Sequence, residues 1–272
     1  MAGAGHMTNR QGEKMGKSMM ARLVLLFAGL FVAGQVLAGE VKVMTSGAFT
    51  AALKELAPQF EKASGHTVSM AFGASMGNAP DSIPSRLDRN EPADLVILAA
   101  EALDQLAQRG KVVQGSRTDL VRSEIGLAVR SGAPRPDISN VEALKRTLLN
   151  AKSVAYSASA SGTYYAAEML KILGLHEQVM PKSRRVVSER VAAVVARGEA
   201  EIGFQQVSEL VNVPGADYIG VIPPEVQRVT IFSAGMASGA TQPDVARELV
   251  RFLTSQAAVP TIRKTGLEPA FK

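Results

Sequence analysis

Three stretches of small residues carry most of the chemistry that this chain can offer. Thr45-Ser46-Gly47-Ala48-Phe49-Thr50 follows a short apolar strand. The same device recurs at Phe72-Gly73-Ala74-Ser75-Met76-Gly77 and at Ser157-Ala158-Ser159-Ala160-Ser161-Gly162-Thr163. A strand that turns into a helix through such residues leaves backbone N–H groups unpaired at the positive helix end, with hydroxyls beside them. The chemistry implied is capture of a small anion by Ser46, Gly47, Ala48, Ser75, Met76, Ser161, Gly162 and Thr163. Because Thr163-Tyr164-Tyr165 reads as a helix start, the third loop is an anion site rather than a plain turn.

Such loops need a scaffold that alternates strands and helices. Phe49, Leu53, Leu56 and Phe60 have the spacing of one buried helix face. Strands are expected over 41–45, 66–72, 95–98, 125–129, 153–156, 186–188, 201–205 and 229–234. Helices are expected over 140–149, 163–173, 190–197 and 243–254, the first of these capped by Ser139-Asn140. A Pro-containing loop over 77–89 ends in a short helix. Repeated strand-helix units predict parallel sheets with helices on both faces.

The N-terminus reads as an export signal. Lys14, Lys17 and Arg22 precede an apolar run over 23–36, and Val36-Leu37-Ala38 before Gly39 is a small-residue cleavage site. The run is short for a membrane span. Of 30 Lys and Arg and 25 Asp and Glu, the leader takes four bases and one acid, leaving net +2 on the remaining 234 residues. That balance removes the main support for a nucleic-acid partner. The chain has no cysteine and three histidines. Thiolate chemistry is therefore excluded, and neither a metal nor another cofactor is implied.

The order of these loops resembles the type II periplasmic solute-binding proteins, closest to the molybdate-binding proteins of ABC transporters. The motifs carrying the resemblance are Glu91-Pro92-Ala93-Asp94-Leu95, Arg197-Gly198-Glu199-Ala200 and Ile262-Arg263-Lys264-Thr265-Gly266-Leu267. It implies an α/β fold of two lobes, each a mixed, mostly parallel sheet flanked by helices, with the ligand cleft between them. Lobe I takes 39–124 and 227–272, lobe II takes 125–226, and residues 1–38 are a signal peptide for the periplasm. It also implies a small anionic ligand and an ABC-type permease as partner.

The family's ligand set is only partly matched. Its first-loop serine falls on Ala48, its second-loop serine on Ser75, an aliphatic backbone contact on Ser188 and an oxyanion-donating tyrosine near Gln206. Residues 77–83 form an insertion beside the cleft. Lost donors leave a tetrahedral oxyanion short of partners, at ~1–3 kcal/mol each. An organic di- or tricarboxylate fits better, with Arg86, Arg122 and Arg190 placed near the cleft for bidentate pairing. A receptor for such an acid is the first reading. The second is aconitate isomerase, since a branch of this family includes such enzymes. It would interconvert the cis and trans acids by a cofactor-free allylic proton shift. Glu101, Glu189 and Tyr164 are then the candidate proton carriers, with Tyr165 and Asp81 as further options.

Overall fold

The apolar run after Gly39 forms an interior strand of the first sheet, flanked on both sides. The computed structural model describes residues 1–3 and 38–272. The signal-peptide reading, with its apolar run over 23–36, lies outside the described residues. Strand β1 (Glu40–Ser46) pairs in parallel with β2 (Thr67–Gly73) and β3 (Leu95–Ala99). Between β1 and β2 runs the helix Gly47–Ser64, which buries Phe49, Leu53, Leu56 and Phe60 as their spacing predicts. Each such side chain contributes about 1.5–3 kcal/mol on leaving water.

The chain then adds β4 (Thr118–Ser123) to the same sheet and crosses at once into a second one through β5 (Ile125–Arg130). That sheet also holds β6 (Val154–Ser157), β7 (Ser183–Val186), β8 (Ile202–Gln206) and β9 (Ala216–Val221), in the order β7-β6-β8-β5-β9. The chain returns through β10 (Thr230–Met236) and closes with β11 (Glu268–Pro269), giving the first sheet the order β11-β4-β10-β3-β1-β2. Both sheets are mixed. The strand-helix units β1 to β3 and β6 to β8 pair in parallel, whereas β5 and β10 run antiparallel to both neighbours.

Local chemistry explains most element boundaries. Asn140 caps the helix Val141–Asn150 by accepting from the Ala143 N–H at 2.9 Å. The Asp94 carboxylate, in the Glu91–Leu95 motif, accepts from the backbone of Lys42, Thr241 and Gln242. That carboxylate ties β1 to the C-terminal segment. Three expectations shift. The strand expected over 186–188 lies earlier, at Ser183–Val186, leaving Ser188 in a loop at φ +62. The helix expected from 163 already starts at Ala160. Strands β4 and β9 carry no clean alternation of apolar and polar residues and add to the expected set. Among the described residues no helix is long and apolar enough to cross a membrane.

Candidate functional site

The loops after β1, β6 and β8 meet in one cavity of about 210 Å³ between the two sheets. Ser46, Gly47 and Ala48 enter from the first sheet; Ser159, Ala160 and Ser161 face them from the second. Ser46 precedes the 18-residue helix Gly47–Ser64, and its side chain makes no cap bond. The Ser46 Oγ is buried and without a partner. A buried hydroxyl left unpaired costs on the order of 1–3 kcal/mol, recovered when a ligand oxygen accepts from it. Helix polarity at this end favours a negative ligand.

Gln206, in the same wall, donates from Nε2 to Thr230 Oγ1 at 3.1 Å and leaves Oε1 buried and unpaired. Rotating the amide by half a turn presents Nε2 to the cleft, with the Thr230 hydroxyl donating to Oε1 instead. Arg190 also lines the cavity, and among the described residues it has no carboxylate partner. The site thus holds an uncommitted guanidinium, a free hydroxyl and a helix N-terminus.

Three acids oppose this positive character, Asp81, Glu189 and Glu209, and of these only Glu209 is buried. Glu209 lies in the four-residue helix Val207–Leu210 and is 8% exposed. Its Oε1 accepts from Gln205 Nε2 at 2.8 Å, while Gln205 Oε1 accepts from the Val191 N–H at 2.8 Å. Gln205 is therefore locked, and it holds the carboxylate in turn. Burial pushes the Glu209 carboxyl up to about 7, against the pull of the Arg190 charge. Gly47 makes room for it: a Cβ there would overlap Glu209 Oε1.

With this geometry in view, the relatives are informative. The family model described as bacterial extracellular solute-binding protein matches residues 41–268. The chain belongs to that family. An aconitate isomerase from a Pseudomonas species is 48% identical over 227 residues, covering 84% of this chain and 87% of its own. The molybdate-binding protein of Azotobacter vinelandii is 29% identical over 262 residues, covering 91% and 97%. A solved structure of a periplasmic molybdate-binding protein from Azotobacter vinelandii superposes with a TM-score of 0.67 at 20% identity, over 84% of this chain and 98% of that one. The type II binding-protein fold expected from the motifs is thus the fold observed.

In this solute-binding protein the cavity gathers Ser46, Gly47, Ala48, Asp81, Ser161, Ser188, Glu189, Arg190 and Gln206 among the sequence-predicted residues. The others lie elsewhere. Ser75 is buried behind the cavity, where its Oγ accepts from the Ala99 N–H at 3.0 Å and its N–H donates to Ser159 Oγ at 3.2 Å. Met76 faces an adjoining cavity. Gly162 packs over the Ser157 carbonyl, and the Thr163 hydroxyl donates to the Ser159 carbonyl at 3.1 Å. Arg86 spans the Phe72 and Asp81 carbonyls and Glu91, so it staples the loop that carries it. Arg122 sits in β4 opposite Ile231 and Glu268, away from the cavity lining.

The proposed proton carriers separate in the same way. Glu101 is exposed and pairs with Arg228 at 2.9 Å. The Tyr164 hydroxyl donates to the Val226 carbonyl at 2.9 Å, and burial raises its pKa. Tyr165 is buried in the second core, sharing a hydrogen bond with Ser183. Glu189 lines the cavity, but both its oxygens accept from Arg197, at 3.0 and 3.1 Å. Asp81 lines the cavity from the inserted loop. Sequence reasoning missed Glu209 altogether; its only signal is an acid between Val207 and Leu210, directly after a buried strand.

Proposed function

We propose that this chain is an aconitate isomerase, interconverting cis- and trans-aconitate by allylic proton transfer without a cofactor. The single observation supporting this over a transport receptor is Glu209. A receptor for a polyanion gains nothing from a buried carboxylate in its binding cleft, because ligand and carboxylate repel. An enzyme that must move a proton at neutral pH needs a base whose pKa lies near 7. The identity to a named aconitate isomerase points the same way.

On this reading the Glu209 carboxylate removes a proton from the methylene carbon of bound cis-aconitate. The released C–H pair forms the new double bond to the central carbon. The old π pair moves to the far carbon, which takes up the proton from the protonated Glu209, so that the carboxylate is restored. The former methylene arm becomes the new alkene carbon in whatever geometry its bound conformer fixes, so no rotation about a double bond is needed. Negative charge building on the flanking carboxylates is met by Arg190, the Ser46 hydroxyl and the amides opening the helix Gly47–Ser64. Lobes of 39–124 with 227–272 and of 125–226 close on the substrate, the crossing segments acting as hinge. The protein acts in the periplasm after cleavage near Ala38-Gly39.

The family as a whole supports a second reading, a di- or tricarboxylate receptor delivering its ligand to an ABC-type permease. Incubating purified residues 39–272 with cis-aconitate and following trans-aconitate by chromatography separates the two. Turnover is expected. Thermal stabilisation by aconitate without turnover leaves the receptor, and stabilisation by molybdate alone removes both.

A further inference from the structure

A second cavity of about 130 Å³ adjoins the first and shares Ala74, Ala158 and Ser188 with it. Its outer wall is the inserted loop, through Met76, Gly77 and Pro80; its inner wall is the end of β7 and the residues after it, Arg185 and Val187. Among the described residues Arg185 is the only charged one lining it. Among the described residues Arg185 has no hydrogen-bond or ion-pair partner, unlike its strand neighbour Arg184, which pairs with Glu199 at 2.7 Å. Two features place the exposed Arg185 against this cavity. In β7, Val186 lines the main cavity while Arg185 faces the side cavity. A Cβ placed on Gly77 would lie 3.6 Å from a guanidinium nitrogen of Arg185, so the head group rests against the inserted loop. Gly77 itself has φ +91, a conformation that resists side chains and holds the loop open at this point.

The shared wall residue is strained as well. Ser188 at φ +62 is a non-glycine residue in the left-handed region, and it lines both cavities. The molecule therefore has two connected compartments, each with one uncommitted arginine: Arg190 beside Glu209, and Arg185 under the insertion. A third carboxylate needs a second cation at a fixed offset, and a guanidinium fork supplies one.

We propose that Arg185 binds one carboxylate of a tricarboxylate substrate in this side cavity and thereby selects tricarboxylates over dicarboxylates. The proposal rests on the reading of the cleft as a polycarboxylate site, and its test is a binding measurement independent of turnover. Calorimetric titration compares trans-aconitate with two dicarboxylates that each lack one of its carboxyl groups, glutaconate and itaconate. Wild-type protein is expected to bind trans-aconitate at least tenfold more tightly than either. Arg185→Gln should lose that preference by weakening trans-aconitate at least tenfold and at least one dicarboxylate less than threefold. Arg185→Lys, which keeps the charge without the fork, should fall between. The exposed side chain has no partner to lose, so the melting temperature should be unchanged. Equal weakening of all three acids, or unchanged affinity for trans-aconitate, overturns the proposal. Wild-type protein that binds none of the three overturns the polycarboxylate reading and this inference together.

Discussion

The carboxylate of Glu209 lies over the Cα of Gly47, although 161 residues separate the two in the chain. Gly47 opens the helix that faces the cleft from the first sheet, and Glu209 projects from the second. A positive helix end and a buried acid thus share one small space that Arg190 also lines.

Replacing Gly47 with alanine places a methyl group where Glu209 Oε1 now stands. Alanine suits a helix better than glycine by ~1 kcal/mol, so folding should be retained. The two sheets would then be held apart or the carboxylate displaced. Turnover of aconitate should fall about 100-fold or more for such a misplacement, with the melting temperature nearly unchanged, as steady-state kinetics and calorimetry on one preparation would show.

The raised pKa of Glu209 has two consequences with opposite signs. As a base it works ionised, so kcat/KM should rise with pH through about 7 and then level off. As a buried acid it costs stability when ionised. Below the ordinary value of 4.5 both folded and unfolded states hold the proton and nothing is lost. Between there and about 7 the unfolded state ionises first, and stability falls. Glu209→Gln escapes this cost. Its advantage in chemical denaturation should be small near the ordinary glutamate pKa and grow to at most about 3 kcal/mol in mildly alkaline buffer.

Ser46→Ala removes a hydroxyl that is buried and unpaired in the free protein. The variant should be as stable as wild type, or more stable by up to about 1 kcal/mol. Affinity for aconitate should nevertheless drop by roughly 10-fold to 100-fold, since a ligand oxygen loses its donor. Paired thermal melts and titrations would reveal this divergence. A parallel loss of stability and affinity would assign Ser46 to the scaffold instead.

Arg228 lies in the segment returning from the second sheet to the first, with one arm on Glu101 at 2.9 Å and another on Glu168 at 2.6 Å. Its guanidinium also lies over the Tyr164 ring, 5.4 Å from the centroid. Exposed pairs of this kind contribute only about 0–1 kcal/mol each. Arg228→Ala should therefore leave the fold intact and raise KM a few-fold, with wild type and variant converging as salt screens the pairs. A large loss of kcat at any salt would give Arg228 a role at the reacting atoms instead.

What the sequence could and could not disclose follows from the range of the forces involved. The anion loops are local: strand, small residue, hydroxyl and helix start are consecutive, so Ser46, Gly47, Ala48 and Ser161 are legible from the order of residues alone. The core face of the helix Gly47–Ser64 is legible from its spacing. Arg86 and Glu101 look available in the sequence because an ion pair depends on a partner that spacing does not reveal, Glu91 in one case and Arg228 in the other. Glu209 reads there as an ordinary solvated acid in a short helix. Its burial comes from Gly47 and Gln205 closing over it, and only the approach of the two sheets produces that.

The central claim is that Glu209 carries the proton. Wild-type protein and Glu209→Gln, with Asp81→Asn beside them, should each be given cis-aconitate and followed by proton NMR, and their affinity for trans-aconitate measured. With Glu209 as the base, wild type converts the acid and Glu209→Gln is about 1000-fold slower. That variant should bind the acid at least as tightly, because a buried negative charge has been removed. Conversion by Glu209→Gln at the wild-type rate, or binding by wild type with no conversion, would contradict that claim.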